Sequence, residues 1–213
     1  MNWTLDLGKK SGDIMSKTID FIFDFGSPNA YFSHQVLPKL AAEKGASLNY
    51  IPCLLGGIFK LTNNQAPMVA FANVKGKVAY SMIEIQRFIK KHGLTKFQMN
   101  PHFPVNTLLL VRGAIAADND GRLSDYIEVG LKAMWEDGHN MSDPQVFAKV
   151  FTEGGFNGAK ILAATQDQAV KDKLMANTSE AVERGAFGIP TFYVGDEMFF
   201  GKDRIDQVIA ELG

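Results

Sequence analysis

The stretch TIDFIFDFGSPNAYF, residues 18–32, constrains the fold more than any other part of the chain. Ile19, Phe21, Phe23 and Phe25 recur at every second position among mostly polar partners, the pattern of a strand with one face in a core. The alternation stops at Gly26-Ser27-Pro28. A helical spacing then takes over, through Tyr31, Phe32, Val36, Leu37, Leu40 and Ala41, and closes at Gly45. Pro38 falls inside this helix and is expected to kink or interrupt it. SLNYIPCL, 47–54, reads as a second strand. Strand, helix and strand at this distance predict a parallel βαβ unit with a right-handed crossover.

From Gly56 the period turns helical and stays so to Gly185. KVAYSMIEIQRFIKKHG (77–93), NTLLLVRGAIAAD (106–118) and RLSDYIEVGLKAMWEDG (122–138) are predicted helices. SDPQVFAKVF (142–151) opens with Asp143 as cap and Pro144 at the first helical position. The helical texture continues through NGAKILAAT and DQAVKDKLMANTSEAVERG. The end returns to β: TFYV (191–194), a Gly195-Asp196 turn and EMFF (197–200) form a hairpin signal, and RIDQVIAEL is a final helix. The order βαβ, helical block, αββα predicts an α/β, thioredoxin-like fold with an all-helical insertion. The boundaries are 18–55 and 180–213 for the thioredoxin-like part, 56–179 for the insertion and 1–17 for a leader.

Composition excludes several partners. A net charge of −1, with no lysine or arginine run and no zinc-finger spacing, gives no field for nucleic acid. No apolar stretch approaches the ~20 residues of a membrane-spanning helix. The first fifteen residues, MNWTLDLGKKSGDIM, lack the apolar core of a signal peptide, so a cytoplasmic location is expected. Met15 offers an alternative start, with the polar leader before it read as disordered or as an artefact of gene assignment. The one cysteine, Cys53, excludes an internal disulfide and any CxxC pair, and in the apolar run YIPCLL it reads as an inert core thiol. His34, His92 and His139 lack metal-ligand spacing and read as surface or helix-end groups.

Three places could carry chemistry. Ser27, followed by a proline at the first helical position, leaves orphan N–H groups and the positive end of a helix dipole facing out where a strand ends. Ligands of α/β sheets bind at such ends. On the residues alone Ser27 is either a plain helix cap or a ligand seat. As a hydrolase nucleophile it scores poorly, because the surroundings are not a G-x-S-x-G elbow and a capping serine has no evident histidine base. AFGIPTF (186–192) puts Pro190 before a strand, as a trans strand-opener or as a cis residue that exposes the backbone of Ile189 to an extended ligand. In FGKDR (200–204), Asp203 is a candidate cap for the last helix beside a solvated Lys202, or these residues and Gly201 receive a charged ligand end.

Taken together, FDFGSPNAYF, GGIFK followed by TNNQAP, AFGIPTF and GDEMFFGKDR resemble the kappa-class glutathione transferases and the bacterial 2-hydroxychromene-2-carboxylate isomerases, within the DsbA-like branch of thioredoxin folds. Thiol oxidoreductases of that branch carry CxxC where this chain has Ser27-Pro28-Asn29-Ala30, so disulfide exchange is excluded. The resemblance implies glutathione as cofactor, with Ser27 as the catalytic group that hydrogen-bonds its sulfur. It implies that Ile189, beside a cis Pro190, pairs with the cysteinyl part and that Gly201, Lys202 and Asp203 hold the γ-glutamyl end. Asn64 would line the same cleft. Lys60 would take the substrate carboxylate, with Asn73 and then Lys77 as further candidates.

In such isomerases glutathione adds to an unsaturated pyruvate from aromatic degradation and leaves after bond rotation. The stretch MNPHFPVNT (99–107) departs from them on the substrate side and leaves the acceptor open; its His102 is a loop-shaping residue or a general base. The expected function is thus a glutathione-dependent cis-trans isomerase acting as a homodimer on a small aromatic carboxylate. The alternatives are a kappa-like transferase or peroxidase acting on electrophiles, and a redox-silent binding module.

Overall fold

The computed structural model describes residues 17–213. The expected leader and the Met15 start lie outside these residues, apart from Lys17, whose Nζ donates to the Leu212 carbonyl.

The chain runs β1 (Thr18–Phe23), α1 (Pro28–Glu43) and β2 (Ser47–Pro52). A helical run follows: α2 (Leu55–Thr62), α3 (Pro67–Ala70), α4 (Lys77–His92), α5 (Leu108–Asn119), α6 (Leu123–Trp135), α7 (Pro144–Glu153), α8 (Gly158–Ala164) and α9 (Gln168–Glu183). It closes with β3 (Thr191–Val194), β4 (Glu197–Phe200), a 3-10 turn at Lys202–Arg204 and α10 (Ile205–Glu211). The sheet order is β2-β1-β3-β4, with β1 parallel to β2 and antiparallel to β3, and β3 antiparallel to β4. This is the thioredoxin-like fold that the sequence predicts, with the helical run entering between β2 and β3.

β1 is one of the two inner strands. Ile19, Phe21, Ile22 and Phe23 are all buried, so both alternating sets are covered, as in a sheet with packing on each face. The strand ends two residues sooner than its alternation implies because Asp24 turns the chain, its carboxylate accepting the Gly26 N–H at 2.9 Å.

Pro38 does not interrupt α1, which is one helix from Pro28 to Glu43. The ring costs the helix one backbone bond and roughly 3 kcal/mol. Tyr31, Phe32, Val36, Leu37 and Ala41 are buried on both sides of it, and burial stabilises by roughly 1.5–3 kcal/mol per large apolar side chain. Packing therefore outweighs the proline.

The helical run grips the sheet at the end of β1. The Trp135 indole donates to the Phe25 carbonyl at 2.8 Å, and the Tyr126 ring meets the Phe25 ring edge-on while stacking on Phe151. α6 also changes the reading of His34. It is buried, not a surface group, because α6 covers that side of α1: Nδ1 lies 2.6 Å from the Tyr50 hydroxyl and Nε2 2.8 Å from a Glu128 oxygen. The His34 hydrogen bond holds the Glu128 carboxyl below its usual value. The stability this contributes is present above the ordinary glutamate range and is lost as pH falls through the lowered value.

Gly130 sets how closely α6 approaches. A Cβ there would sit 2.5 Å from Cε1 of the fully buried Phe25 ring. Gly130→Ala is therefore expected to destabilise the fold by about 1–3 kcal/mol, lowering Tm by roughly 2–12 °C in a thermal melt. An unchanged melt would mean that the α6–Phe25 contact is looser than described.

Candidate functional site

Asp24, which the alternation counts only as a polar strand position, organises the turn after β1. It has no solvent exposure. One carboxylate oxygen takes the Gly26 N–H and the other the Leu55 N–H at 2.7 Å, and the Thr107 hydroxyl donates as well. Burial pushes the carboxyl up, and these three donors oppose that push. The signal in the sequence was a carboxylate within the apolar run FIFDF.

On this turn Ser27 caps α1. Its backbone is extended, its hydroxyl accepts the Ala30 N–H at 3.3 Å, and Pro28 follows at the first helical position. The hydroxyl also donates to the Ile189 carbonyl at 3.0 Å. Ser27 is thus both a cap and a bridge to the loop before β3.

In that loop the Ile189–Pro190 bond is cis, the second of the two alternatives the residues left open. Ser27 occupies the Ile189 carbonyl, so the expectation that both backbone groups of Ile189 stand free is corrected. Its N–H alone has no hydrogen-bond partner among the described residues. Pro190 in turn accepts the Gly201 N–H at 2.9 Å. Gly201 has φ 90°, a backbone conformation that favours glycine. Ser27, Ile189, Pro190 and Gly201 therefore form one hydrogen-bonded line.

Lys202 and Asp203 extend it and correct two expectations. Asp203 makes no cap to α10; its carboxylate takes the Lys202 ammonium at 2.6 Å. Lys202 is not solvated. It is 4% exposed, with its ammonium 4.9 Å from the centre of the Phe88 ring on α4. The cation is drawn under α4 because ring and carboxylate together replace part of its hydration.

The cofactor candidate Asn64 and the candidates on the substrate side lie elsewhere. Lys60 on α2, Asn64 just past its end and Asn73 before α4 are exposed, and no hydrogen bond joins them to the Ser27 line among the described residues. The tether is indirect: α2 begins at Leu55, whose N–H is held by Asp24. Lys77 lies over the Phe71 ring and His102 is exposed. No cluster among the described residues has the groups to hold a metal ion. Cys53 is buried and its thiol is pushed up to about 12, chiefly by burial and then by Asp24 and Glu180. The site therefore combines a hydroxyl donor, a free N–H, a helix N-terminus and a charged pair, with no thiolate of its own.

The family model of the DSBA-like thioredoxin domain matches residues 18–213. The chain belongs to this family. Among DsbA-like relatives, the 2-hydroxychromene-2-carboxylate isomerase of Pseudomonas putida is 27% identical over 92% of this chain and 94% of its own. Glutathione S-transferase kappa 1 of Caenorhabditis elegans is 27% identical over 91% of this chain and 89% of its own. A solved 2-hydroxychromene-2-carboxylate isomerase superposes with a TM-score of 0.79 at 26% identity, covering 92% of this chain and 94% of the other. These relatives are enzymes of isomerase and transferase type that act on small molecules, and the resemblance read from the four motifs holds over the whole described chain.

The elevated Cys53 thiol leaves only about one molecule in ten thousand as thiolate at pH 8. Iodoacetamide at that pH is expected to leave the native protein unlabelled by mass spectrometry over a period that labels urea-unfolded protein completely. Rapid labelling of the native protein would place a reactive thiol where the structure has none.

Proposed function

We propose that this protein is a glutathione-dependent cis-trans isomerase acting on 2-hydroxychromene-2-carboxylate or a related aromatic-degradation intermediate. The observation that carries the reading is the Ser27 hydroxyl, set at the N-terminus of α1 and hydrogen-bonded to Ile189, where a disulfide-exchanging DsbA-like protein has its attacking cysteine. The names of the relatives at about 27% identity support it.

The residues present suit glutathione. The unpartnered Ile189 N–H and the Ile189 carbonyl offer one donor and one acceptor, the pair that the cysteinyl residue of an extended ligand needs. Bound glutathione supplies a thiolate nucleophile that is regenerated at the end of the cycle. The chain's own part is to hold that sulfur as an anion. A cysteinyl N–H taking over the Ile189 carbonyl releases the Ser27 hydroxyl, whose single proton then turns to the sulfur. One hydrogen bond replaces another, so the release costs little. The positive end of the 16-residue α1 acts in the same direction. Gly201, Lys202 and Asp203 hold the γ-glutamyl end. Lys60, with Asn73 as a further candidate, takes the substrate carboxylate, and Asn64 lines the glutathione cleft from the helical run.

Helices α3 and α4 and the segment between them leave Met68, Val69, Phe71, Val74, Tyr80 and Ile83 exposed, an apolar surface suited to a second copy in a homodimer. We place the enzyme in the cytoplasm, where reduced glutathione is available; no helix among the described residues is long and apolar enough to cross a membrane.

The kappa transferase relative favours a second reading, conjugation of glutathione to an electrophile. The fate of glutathione separates the two: an isomerase returns it, whereas a transferase consumes one equivalent per turnover.

A hydrogen bond to a charged partner contributes about 1.5–3 kcal/mol. Ser27→Ala is therefore expected to lower kcat on hydroxychromene carboxylates by roughly 10- to 100-fold while glutathione affinity changes only a few-fold. Steady-state kinetics beside calorimetric titration check this, and equal losses in both quantities would contradict the assigned role.

A further inference from the structure

The chain's net charge of −1 conceals a separation of sign. Residues 60–96, from the end of α2 past the end of α4, carry seven lysines and arginines against one acid, Glu84, a net +6. The rest of the chain sets fifteen cations against twenty-two acids, a net −7. All seven cations of the segment are exposed. Arg87 pairs with Glu84, and Lys91 with Asp206 at 3.7 Å. Lys60, Lys75, Lys77, Lys90 and Lys96 have no acidic partner within ion-pair distance among the described residues. A surface balanced everywhere has little potential beyond a Debye length, whereas five unpaired cations on one segment sum to a positive field that an incoming ligand meets before contact.

The segment is fixed beside the Ser27 line at both ends. Asp24 holds the Leu55 N–H, where α2 begins, at 2.7 Å. At the other end α4 places its Phe88 ring 5.7 Å from the Phe32 ring and 4.9 Å from the Lys202 ammonium. Phe32 lies on α1, the helix that Ser27 caps. The positive segment therefore flanks the helix that carries the sulfur seat. Lys60 already has a proposed contact with the substrate carboxylate; Lys75, Lys90 and Lys96 have no such use.

We propose that residues 60–96 form an electrostatic capture surface that draws small anionic ligands to the Ser27 cleft, and so selects an anion such as an aromatic carboxylate over a neutral electrophile. The proposal rests on the Ser27 cleft as the site of reaction and adds the charge class of what enters it. Capture acts on the encounter, so it raises kcat/KM and leaves kcat alone.

Steady-state kinetics of the full chain on hydroxychromene carboxylates, at saturating glutathione, test it across salt. Between about 10 mM and about 150 mM the Debye length shrinks from ~30 Å to ~8 Å, and kcat/KM should fall ~5-fold or more while kcat stays constant. The triple variant Lys75→Glu, Lys90→Glu, Lys96→Glu should start at least ~5-fold lower at low salt and lose most of its salt dependence. Lys149→Glu, Lys160→Glu and Lys173→Glu together change the net charge equally, from exposed positions outside the segment, and should leave the kinetics as in wild type. Fluorescence titration supplies a readout without turnover. Anilinonaphthalene sulfonate is an anion and phenylnaphthylamine its neutral counterpart, and the first triple variant should weaken the anion alone. A flat wild-type salt profile, or equal effects of the two triple variants, overturns the proposal while sparing the isomerase. The wild-type profile carries the test if a variant does not fold. Absence of turnover with the anionic probe alone weakened overturns the isomerase and supports the capture surface; absence of turnover with neither probe affected overturns both.

Discussion

The buried carboxylate of Asp24 is the constraint on which the site depends. It stands where β1 ends, and its donors come from three places: Gly26 in its own turn, Leu55 at the start of α2 and Thr107 at the start of α5. A buried carboxyl needs such donors, because a polar group left unsatisfied in the interior costs about 1–3 kcal/mol. The requirement works in both directions. Satisfying Asp24 forces the sheet, the turn that carries Ser27 and the first elements of the helical run into one arrangement. A Cβ on Gly26 would lie 3.2 Å from the Thr107 methyl, so the turn has little room for a side chain there.

From that turn a sequence of short contacts runs outward. The Ser27 hydroxyl meets Ile189, Pro190 meets Gly201, and Lys202 reaches under α4 to Phe88. The Pro190–Gly201 joint closes the β3–β4 hairpin, and the other two join segments distant in sequence, so the site is a product of the closed fold and not of any one motif. It is also built around absences of chemistry in the protein itself. Cys53, the one thiol, is held neutral by burial, and on the proposed reading the nucleophile comes from a bound molecule. What the chain supplies is a donor, a dipole and a mould for an extended peptide.

Much of this was legible in the sequence because it is local. The period of two in TIDFIF, the Gly-Ser-Pro junction, the Asp143-Pro144 cap and the Gly195-Asp196 hairpin follow from rules that act within a few residues, and they set β1, α1, α7 and the β3–β4 pair. The four motifs, read together, carried the family.

What the sequence did not give depends on tertiary partners. Pro38 looked like a break because propensity cannot weigh the aromatic packing on either side of it. His34 looked like a surface group until α6 covered it with Glu128. Asp203 looked like a cap, but a buried lysine next to it competes for the same carboxylate. Asp24 carried no local signal beyond its charge, since its partners at Leu55 and Thr107 lie far along the chain. Lys60, Asn64 and Asn73 are set only by resemblance, and their exposed side chains make no hydrogen bond to the Ser27 line among the described residues.

The central claim is that Ser27 holds a bound thiol as its anion. The direct measurement is the near-UV thiolate absorbance of glutathione bound to the purified protein, followed across pH in wild type and in Ser27→Ala. The account predicts a bound-thiol pKa at least about one unit below the ordinary value of roughly 8.5, and its recovery toward that value in the variant. A bound thiol that titrates at its free value, or a depressed value that persists without the Ser27 hydroxyl, would contradict it.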